Sequence, residues 1–294
     1  MSISQSPLLS IVIATFNAEG SVGLAIESVL KQSFKDFEVI IVDGLSTDGT
    51  LDVVRGFASD QIVWVSERDS GIYDAWNKGV RLANGKWLLF IGADDQLGEA
   101  DCLQKFVDAC DAGQLFDGNS ILYGNLIVQG SDGGPMDRLG GAWEDPWGFR
   151  CRYLTSAFPI PIMASFFNRE SVIAHGGFSL DYKIISDIEL VIRISKKDPP
   201  LHIPDHVLTV MGYGGVSTNP RRALSLLRES FMVRRKHSLG TLTNLGFLNL
   251  AFRQLIKYTV AKYFGNKASG YLISTYQKMK KNRLHSLPYE GKNG

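Results

Sequence analysis

The sequence predicts an α/β fold in which a mostly parallel sheet is flanked by helices. Three observations in residues 8–98 lead to this prediction. Short apolar runs alternate with longer segments of helical periodicity, as in repeated βαβ units. The apolar runs are nearly continuous, which is typical of strands covered on both faces. Each run ends in a polar loop, and in parallel sheets ligands bind outside the carboxyl ends of the strands.

The first part of the chain predicts four strands that alternate with three helices. We expect the strands at residues 9–14, 37–42, 62–65 and 86–91. The first helix is expected to run to about residue 32, with Ser21 as its N-cap. The second should follow the polar loop 43–50 and end near residue 58, and the third should span 72–82, before Gly85.

The pattern after residue 100 is less regular. We expect a helix at 101–114, a bent strand or strand pair at 120–129, a loop at 130–147, a strand at 160–167, and helices at 169–174 and 186–195. Short strands are expected within 201–210, and helices at 222–236, 242–264 and 269–283. This change in pattern predicts two domains, 1–219 and a helical extension, 220–294.

Charge is distributed unevenly along the chain. The 294 residues carry a net charge of +1, but residues 221–294 hold 15 of the 31 basic residues and only two of the 30 acidic ones. An acidic body and no recognisable reading module argue against a nucleic-acid partner. The basic tail predicts either an amphipathic helix on an anionic membrane surface or a helix that packs on the body with a solvated basic face.

Features that report on the cellular compartment are few. The three cysteines are Cys102, Cys110 and Cys151; they form no C-x-x-C pair, which predicts no disulfide framework and a reducing compartment. We expect no signal peptide, because the N-terminus lacks a basic start and a long apolar stretch. No uncharged apolar run reaches about 18 residues. We therefore expect a cytoplasmic protein, with attachment to the cytoplasmic face of the membrane left open.

Asp94 and Asp95 follow the fourth predicted strand. Adjacent carboxylates repel each other and raise each other's pKa, and a divalent cation removes that conflict. Mg²⁺ or Mn²⁺ prefers hard oxygen ligands and often borrows oxygens from a diphosphate. The pair therefore indicates a metal site, and the alternative is a solvated turn with an acidic helix cap.

Polar residues end or follow the other three strands. Thr15 and Asn17 follow the first strand, Asp43 the second, and Asp69 the third. The carboxylate of Asp43 can accept from an N–H at a nucleobase edge, and it lies too early to cap the next helix. No G-x-G-x-x-G follows the first strand and no Walker A lysine motif occurs. The fingerprints of dinucleotide-binding and P-loop proteins are thus missing.

Asp187 opens the predicted helix at 186–195. Such a residue is either a helix cap or a general base that deprotonates an incoming hydroxyl. His202 and His206 have the spacing of a zinc pair, but Pro204 between them argues against a helix there. No G-x-S-x-G motif points to a nucleophilic serine.

Four motifs occur in a specific order and spacing. They are TFN at 15–17, VDGLSTDGT at 42–50, ERDSGIYDAWNKG at 67–79 and GADD at 92–95. Together they closely resemble the inverting family 2 glycosyltransferases with the A-type (GT-A) fold, whose sheet is Rossmann-like. The resemblance is greatest to bacterial enzymes that build exopolysaccharide, capsule or O-antigen units. It covers about residues 8–215 and is strongest over 8–98.

The resemblance implies transfer of a sugar from a nucleotide-sugar donor, UDP-linked, to a glycan or polyprenyl-diphosphate-linked acceptor. It implies that Asp43 contacts the base and that Asp187 is the general base. It implies that the other nucleotide-binding residues are Thr15, Asn17, Asp69, Lys78 and Asp94. The metal ligands would be Asp95 and Asp94, with Asp95 the more direct of the two. The residues near the acceptor would be Gly214, Gly215 and Ser217.

The sequence also departs from the family pattern. Residues 160–167 lack the His-Gln pair of many relatives, Asn125 stands where an Asp is common, and Ile188-Glu189 replaces a usual Tyr-Asp. None of these changes removes a group with an assigned role. Two other functions stay open: a nucleotide-binding protein without turnover, and a nucleotidyltransferase, which would release pyrophosphate.

Overall fold

The structure is a computed structural model that describes residues 6–57, 59–129, 135–141, 143, 160–212, 219–239, 248, 251–256 and 258–263. The chain divides into two compact units, Met1–Tyr213 and Gly214–Gly294. Each unit is described by itself.

Four parallel strands form the first half of a sheet in the first unit. They are β1 (Leu9–Thr15), β2 (Phe37–Asp43), β3 (Ile62–Ser66) and β4 (Trp87–Gly92), in the spatial order β3-β2-β1-β4. All residues of β1 and β4 are buried, as their continuous apolar runs predict. The register pairs Thr15 with Asp43 and Ala14 with Gly92, so the ends of these strands lie level.

The second half of the sheet is mixed. Five more strands join it among the described residues: β5 (Asp95–Leu97), β6 (Ile121–Gln129), β7 (Pro135–Leu139), β8 (Ser165–Asn168) and β9 (Leu201–Gly212). β8 runs antiparallel between β4 and β6, β9 is parallel to β6, and β5 and β7 pair antiparallel with β9 and β6. The run of parallel pairs from β3 to β4 therefore ends at the antiparallel β8, and one further parallel pair, β6 with β9, lies beyond it.

Helices cover both faces of this sheet. The described helices of the first unit are α1 (Val22–Leu30), α2 (Thr50–Arg55), α3 (Ile72–Leu82), α4 (Cys102–Ala112), α5 (Arg169–Ala174) and α6 (Ser186–Ser195). The core on one face includes Ile26 of α1 and Phe106 of α4. The core on the other face includes Trp76 of α3 and Leu190 of α6. α3 and α6 thus pack against the same face of the sheet.

Several predicted elements differ in the structure. α1 ends at Leu30, and the hydroxyl of Ser21 makes no cap bond to the helix. The region predicted as a loop at 130–147 contains β7, which pairs with β6. Only the end of the strand predicted at 160–167 is β8, since a 3-10 turn at Ile162–Ala164 precedes it.

β9 is one long strand where short strands around Pro204 were expected. Asp205 adopts a left-handed conformation with φ of 67°, and the pairing register with β6 shifts near this point. A local bulge therefore lets the chain pass the proline, which cannot donate a ladder hydrogen bond, without ending the strand.

The second unit is helical where it is described. A 3-10 turn at Pro220–Arg222 leads into α7 (Ala223–Lys236), and residues 251–256 and 258–263 are also helical. The helix predicted at 269–283 and parts of that at 242–264 lie outside the described residues. In the described part of the chain, no helix has the length and apolar character needed to cross a bilayer.

Candidate active site

Thr15 and Asp43 end two neighbouring strands and lie side by side. Asp43 is paired with Thr15 in the β1–β2 register, and the N–H of Gly44 donates to the carbonyl of Thr15 at 2.9 Å. The hydroxyl of Thr15 is buried and has no hydrogen-bond partner among the described residues. Buried hydroxyls are nearly always paired, and a contact between this one and a nucleotide stays a prediction.

Asp43 is buried and organises the loop that follows it. Its Oδ2 accepts from the backbone N–H of Ser46 at 3.0 Å and from the hydroxyl of Ser66 at 2.6 Å, and its Oδ1 accepts from the hydroxyl of Ser46. Each carboxylate oxygen can accept about two hydrogen bonds. A nucleobase N–H would therefore share Asp43 with these serines, and the base contact stays a prediction.

Asn17 connects the loop after β1 with the loop after β2. Its backbone has a φ of 49°, which asparagine tolerates better than most residues. Its side-chain oxygen accepts from the backbone N–H of Thr47 at 2.8 Å, and its own N–H donates to the hydroxyl of Ser46 at 2.8 Å. Asn17, which is exposed, thus connects the two loops by hydrogen bonds.

Asp69 reaches the same edge of the sheet from the loop after β3. Its Oδ1 accepts from the N–H of Gly71 at 2.9 Å. Its Oδ2 lies 2.6 Å from the point that a Cβ atom would occupy on Gly44. The carboxylate therefore stands directly over the turn between Asp43 and Ser46.

Lys78 contacts the loop between β3 and α3 that contains Asp69. The lysine is buried on α3, and its Nζ donates to the carbonyl of Arg68 at 2.6 Å and lies 3.0 Å from Oε1 of Glu67. These contacts fix the backbone immediately before Asp69. A direct contact between Lys78 and a nucleotide stays a prediction.

Asp94 and Asp95 direct their carboxylates to one place above Gly92. Asp94 Oδ1 and Asp95 Oδ2 each lie 2.9 Å from the point that a Cβ atom would occupy on Gly92. Asp94 is exposed, whereas Asp95 is buried at the start of β5 and accepts from the N–H of Gly92 at 2.8 Å. The glycine leaves open the space between the two oxygens.

The buried position of Asp95 changes its acidity. Burial raises the pKa of Asp95 to about 7, the hydrogen bond from Gly92 opposes this rise, and the charge of Asp94 adds to it. A divalent cation would stabilise the ionised carboxylate. The described residues contain no cluster of three or more Asp, Glu, His or Cys side chains that could hold a metal. Two carboxylate oxygens are hard ligands of the kind that Mg²⁺ and Mn²⁺ take together with water and substrate oxygens. Metal binding by this pair stays a prediction.

Asp187 lies in the first turn of α6 and is half-buried. Its Oδ1 accepts from the N–H of Ile188 at 2.9 Å and lies 2.9 Å from the hydroxyl oxygen of Tyr73 on α3. Sequence reasoning did not single out Tyr73. The signal that could have found it is its place within the 67–79 motif, four residues after Asp69.

A glycine turn before α6 is fixed from two sides. Asn77 of α3 makes two hydrogen bonds of 2.8 Å with the backbone N–H and C=O of Phe178. Arg193 of α6 donates to the carbonyl of Gly177 at 2.6 Å and pairs with the fully buried Glu189 at 2.7 Å. The turn that leads towards Asp187 is thus held by the helices on either side of it.

The other residues considered in the sequence either make contacts within the fold or lie outside the described residues. The ring of His202 stacks on Tyr123 at 4.9 Å, and Nδ1 of His206 contacts the carbonyl of Pro204 at 2.8 Å, so both lie on β9 in local contacts. Asp48 accepts from the N–H of Thr50 at the start of α2. The acceptor-side residues Gly214, Gly215 and Ser217 lie outside the described residues.

Comparison with known proteins adds sequence evidence. Residues 10–172 match the family described as Glycosyl transferase family 2. A PGL/p-HBAD biosynthesis glycosyltransferase of Mycobacterium tuberculosis is 35% identical over 191 residues, which are 64% of this chain and 70% of that protein.

Two solved structures share the fold. S. aureus TarS 1-349 in complex with UDP-GlcNAc has a TM-score of 0.57 at 15% identity and covers 87% of this chain and 73% of that one. Against a longer TarS structure, the chain covers 43% of the neighbour's length. The mannosyltransferase PcManGT from Pyrobaculum calidifontis, in complex with GDP-Man and Mn²⁺, has a TM-score of 0.58 at 17% identity over 94% of this chain and 87% of that one. The predicted α/β fold of the A type is confirmed.

Proposed function

Since the chain belongs to glycosyltransferase family 2, we propose that it is a metal-dependent, inverting enzyme of surface polysaccharide synthesis. It transfers a sugar from a UDP-linked donor to a glycan or polyprenyl-diphosphate-linked acceptor. The observation that carries this proposal is the set of groups at one edge of the sheet. The hydroxyl of Thr15, the carboxylate of Asp69 over Gly44, and the Asp94–Asp95 pair lie at or just after the ends of parallel strands that end level.

The donor nucleotide occupies the loops after β1, β2 and β3. The Thr15 hydroxyl and the Asp69 carboxylate supply polar contacts, and Asp43 accepts from the base while it orders the Gly44–Ser46 turn. The solved neighbours support a nucleotide-sugar donor, because one was crystallised with UDP-GlcNAc and another with GDP-Man. The sequence motifs favour UDP between these.

Asp95, with Asp94, holds the divalent cation, which supplies positive charge to the leaving diphosphate when bound. The neighbour that was solved with Mn²⁺ supports the use of a divalent cation. The protein contributes two carboxylate oxygens that converge above Gly92. Burial raises the pKa of Asp95, so a bound cation would offset the cost of ionising this carboxylate.

Asp187 acts as the general base. Its carboxylate takes the proton from the acceptor hydroxyl as that oxygen attacks the anomeric carbon. The bond from the acceptor oxygen to the sugar forms, and the bond from the sugar to the diphosphate breaks, so that UDP leaves with the electron pair. One displacement from the opposite face inverts the configuration, as in inverting sugar hydrolases.

The basic second unit provides the membrane contact of this proposal. Its described helical residues 251–256 and 258–263 expose Phe252 and Tyr263, which are 65% and 70% accessible, beside Arg253 and Lys262. Aromatic residues flanked by cations are typical of helices that lie on anionic lipid surfaces. A polyprenyl-diphosphate-linked acceptor would be presented at such a surface.

A thermal-shift screen tests the donor and the metal together. Ligands that bind the native state raise the melting temperature according to RT ln(1 + [L]/Kd). UDP, GDP, CMP and dTDP are each tested with and without Mn²⁺, and we expect the largest shift with UDP and Mn²⁺. A larger shift with another nucleotide would change the donor. No shift with any nucleotide would favour a protein that has lost the activity.

Replacement of the base tests the chemistry. A panel of UDP-sugars first identifies the donor. Asp187→Asn should lower the rate of UDP release from that donor by about 10²–10⁴-fold, with nucleotide binding retained. Near-normal turnover would remove Asp187 from its role. Release of pyrophosphate in place of UDP would identify a nucleotidyltransferase.

A further inference from the structure

The hydroxyl of Tyr73 lies between two acceptors. Its oxygen is 2.9 Å from Oδ1 of Asp187 and 2.7 Å from the backbone carbonyl oxygen of Ile184. A tyrosine hydroxyl has one proton to donate. Asp187 and Ile184 therefore compete for the same hydrogen bond, and the charge on Asp187 decides between them.

The ring of Tyr73 is fixed where it stands. It is buried and packs against Trp76 and Phe178, with ring centroids 5.7 Å away in each case. The hydroxyl therefore reaches Asp187 from a rigid aromatic cluster. Rotation about the C–O bond can redirect its proton, but the oxygen keeps its place.

The helix that carries Tyr73 is also tied to the segment before Asp187. Asn77 binds the backbone of Phe178, and Nζ of Lys183 donates to the carbonyl of Ser70 at 3.1 Å. Ser70 directly follows Asp69, which stands over Gly44. The loop assigned to the donor and the carboxylate assigned as base thus belong to one hydrogen-bonded frame.

We propose that Tyr73 is a positioning residue for Asp187 and that its hydroxyl proton follows the charge on this carboxylate. Before the transfer, the hydroxyl donates to ionised Asp187 and holds it in place. After Asp187 has taken the acceptor proton, the hydroxyl turns to the carbonyl of Ile184. The proton of Tyr73 itself is never transferred. This inference rests on the proposed role of Asp187 as base.

A double-mutant cycle of Tyr73→Phe and Asp187→Ala tests the contact without a substrate, since alanine removes the acceptor oxygen. Tyr73→Phe keeps the ring packing and removes only the hydroxyl. The unfolding equilibria of the four proteins in urea should show a coupling of about 3-fold or more, because contacting residues are not additive. Strictly additive changes would overturn the proposed contact.

The wild type, Tyr73→Phe, Asp187→Asn and the double variant of these two are then assayed in the presence of Mn²⁺ for UDP release from the UDP-sugar that a panel of donors identifies. Tyr73→Phe should lower kcat by about 10- to 100-fold, since small misplacements of a reacting group have effects of this size, and should leave KM for the donor nearly unchanged. The acidic limb of the kcat profile should move to higher pH, because the ionised carboxylate loses a donor. In the Asp187→Asn background, Tyr73→Phe should have little further effect.

Tyr123→Phe is the matched control. Tyr123 is also buried, and its hydroxyl donates to the carbonyl of Gly141 at 2.5 Å. This variant should leave the acidic limb in place, and an equal shift in both variants would overturn the inference. If Asp187→Asn is inactive while Tyr73→Phe keeps the wild-type kcat and the wild-type acidic limb of its pH profile, the role of Tyr73 alone is overturned. Full turnover by Asp187→Asn would overturn the base assignment and this inference with it.

Discussion

The carboxylate of Asp69 lies directly over Gly44, with Oδ2 only 2.6 Å from the point that a Cβ atom would occupy there. The two residues belong to loops after different strands, and the N–H of Gly44 also donates to the carbonyl of Thr15. Gly44, which has no side chain and directly follows β2, therefore contacts residues at the end of β1 and in the loop after β3. Any larger residue at position 44 must displace Asp69.

Gly44→Ala should weaken UDP binding by about tenfold, because the loss of a well-placed charged hydrogen bond is worth about 1.5 kcal/mol or more. Titration calorimetry with UDP and Mn²⁺ measures this effect. Gly20→Ala is the control, since no atom lies within 4 Å of the Cβ position there. Unchanged affinity in Gly44→Ala would mean that Asp69 does not contact the nucleotide.

Asp95 should make stability and metal binding depend on pH. The pKa of Asp95 is raised from 3.8 to about 7 by burial. A group with a raised folded-state pKa binds more protons when folded, so stability is lost as the pH rises from about 4 through about 7. Without metal, Asp95→Asn should therefore gain in melting temperature over the wild type as pH increases across this range.

Added Mn²⁺ should reverse the order of the two proteins. The cation binds the ionised carboxylate, so the stabilisation of the wild type by Mn²⁺ should grow as the pH rises through about 7. Asp95→Asn should respond weakly at every pH. Equal stabilisation of both proteins by Mn²⁺ would place the cation elsewhere.

Arg193 should contribute strongly to stability because its partner is buried. The side chain of Glu189 is fully buried, and Arg193 also donates to the carbonyls of His175 and Gly177. Arg193→Met should lower the free energy of unfolding by about 3–5 kcal/mol, the range for breaking a buried pair. Urea denaturation measures the change.

The exposed pair of Lys105 and Asp101 serves as the comparison for Arg193. These side chains are 55% and 48% accessible and lie 2.9 Å apart. Lys105→Met should change the free energy of unfolding by about 0–1 kcal/mol, as for other surface pairs. Similar losses in both variants would show that burial of Glu189 is not what gives Arg193 its effect.

The second unit should bind anionic vesicles. Replacing Phe252 and Tyr263 with serine removes two exposed aromatic side chains, and it should lower co-sedimentation with vesicles rich in phosphatidylglycerol by about tenfold. Neutral phosphatidylcholine vesicles should bind weakly because the attraction is partly electrostatic. Deletion of residues 241–294 should abolish binding, and unchanged partitioning after that deletion would refute the membrane contact.

Local patterns predicted the elements that hold the donor-side groups. The apolar run that ends before Thr15 and the helical period that begins after Gly71 both survive in the structure, as β1 and as α3 at Ile72–Leu82. β7 was not predicted, because the sequence from 130 to 147 has no alternating apolar pattern and this strand forms by pairing with β6. Strand formation depends on packing against the partner strand as well as on the residues of the segment itself, so the local pattern of residues 135–139 does not reveal it.

The sequence by itself determined the fold class and the identity of the candidate groups, since both depend on residue type and on spacing over a few positions. Only the tertiary structure decided which groups touch. Tyr73 contacts Asp187, which lies 114 residues later in the sequence, and the carboxylate of Asp69 in the loop after β3 lies over Gly44 in the loop after β2. The first contact depends on how α3 and α6 pack on one face of the sheet, and the second on the pairing of β2 with β3. Both arrangements are the sum of many buried side chains and are set by no single motif.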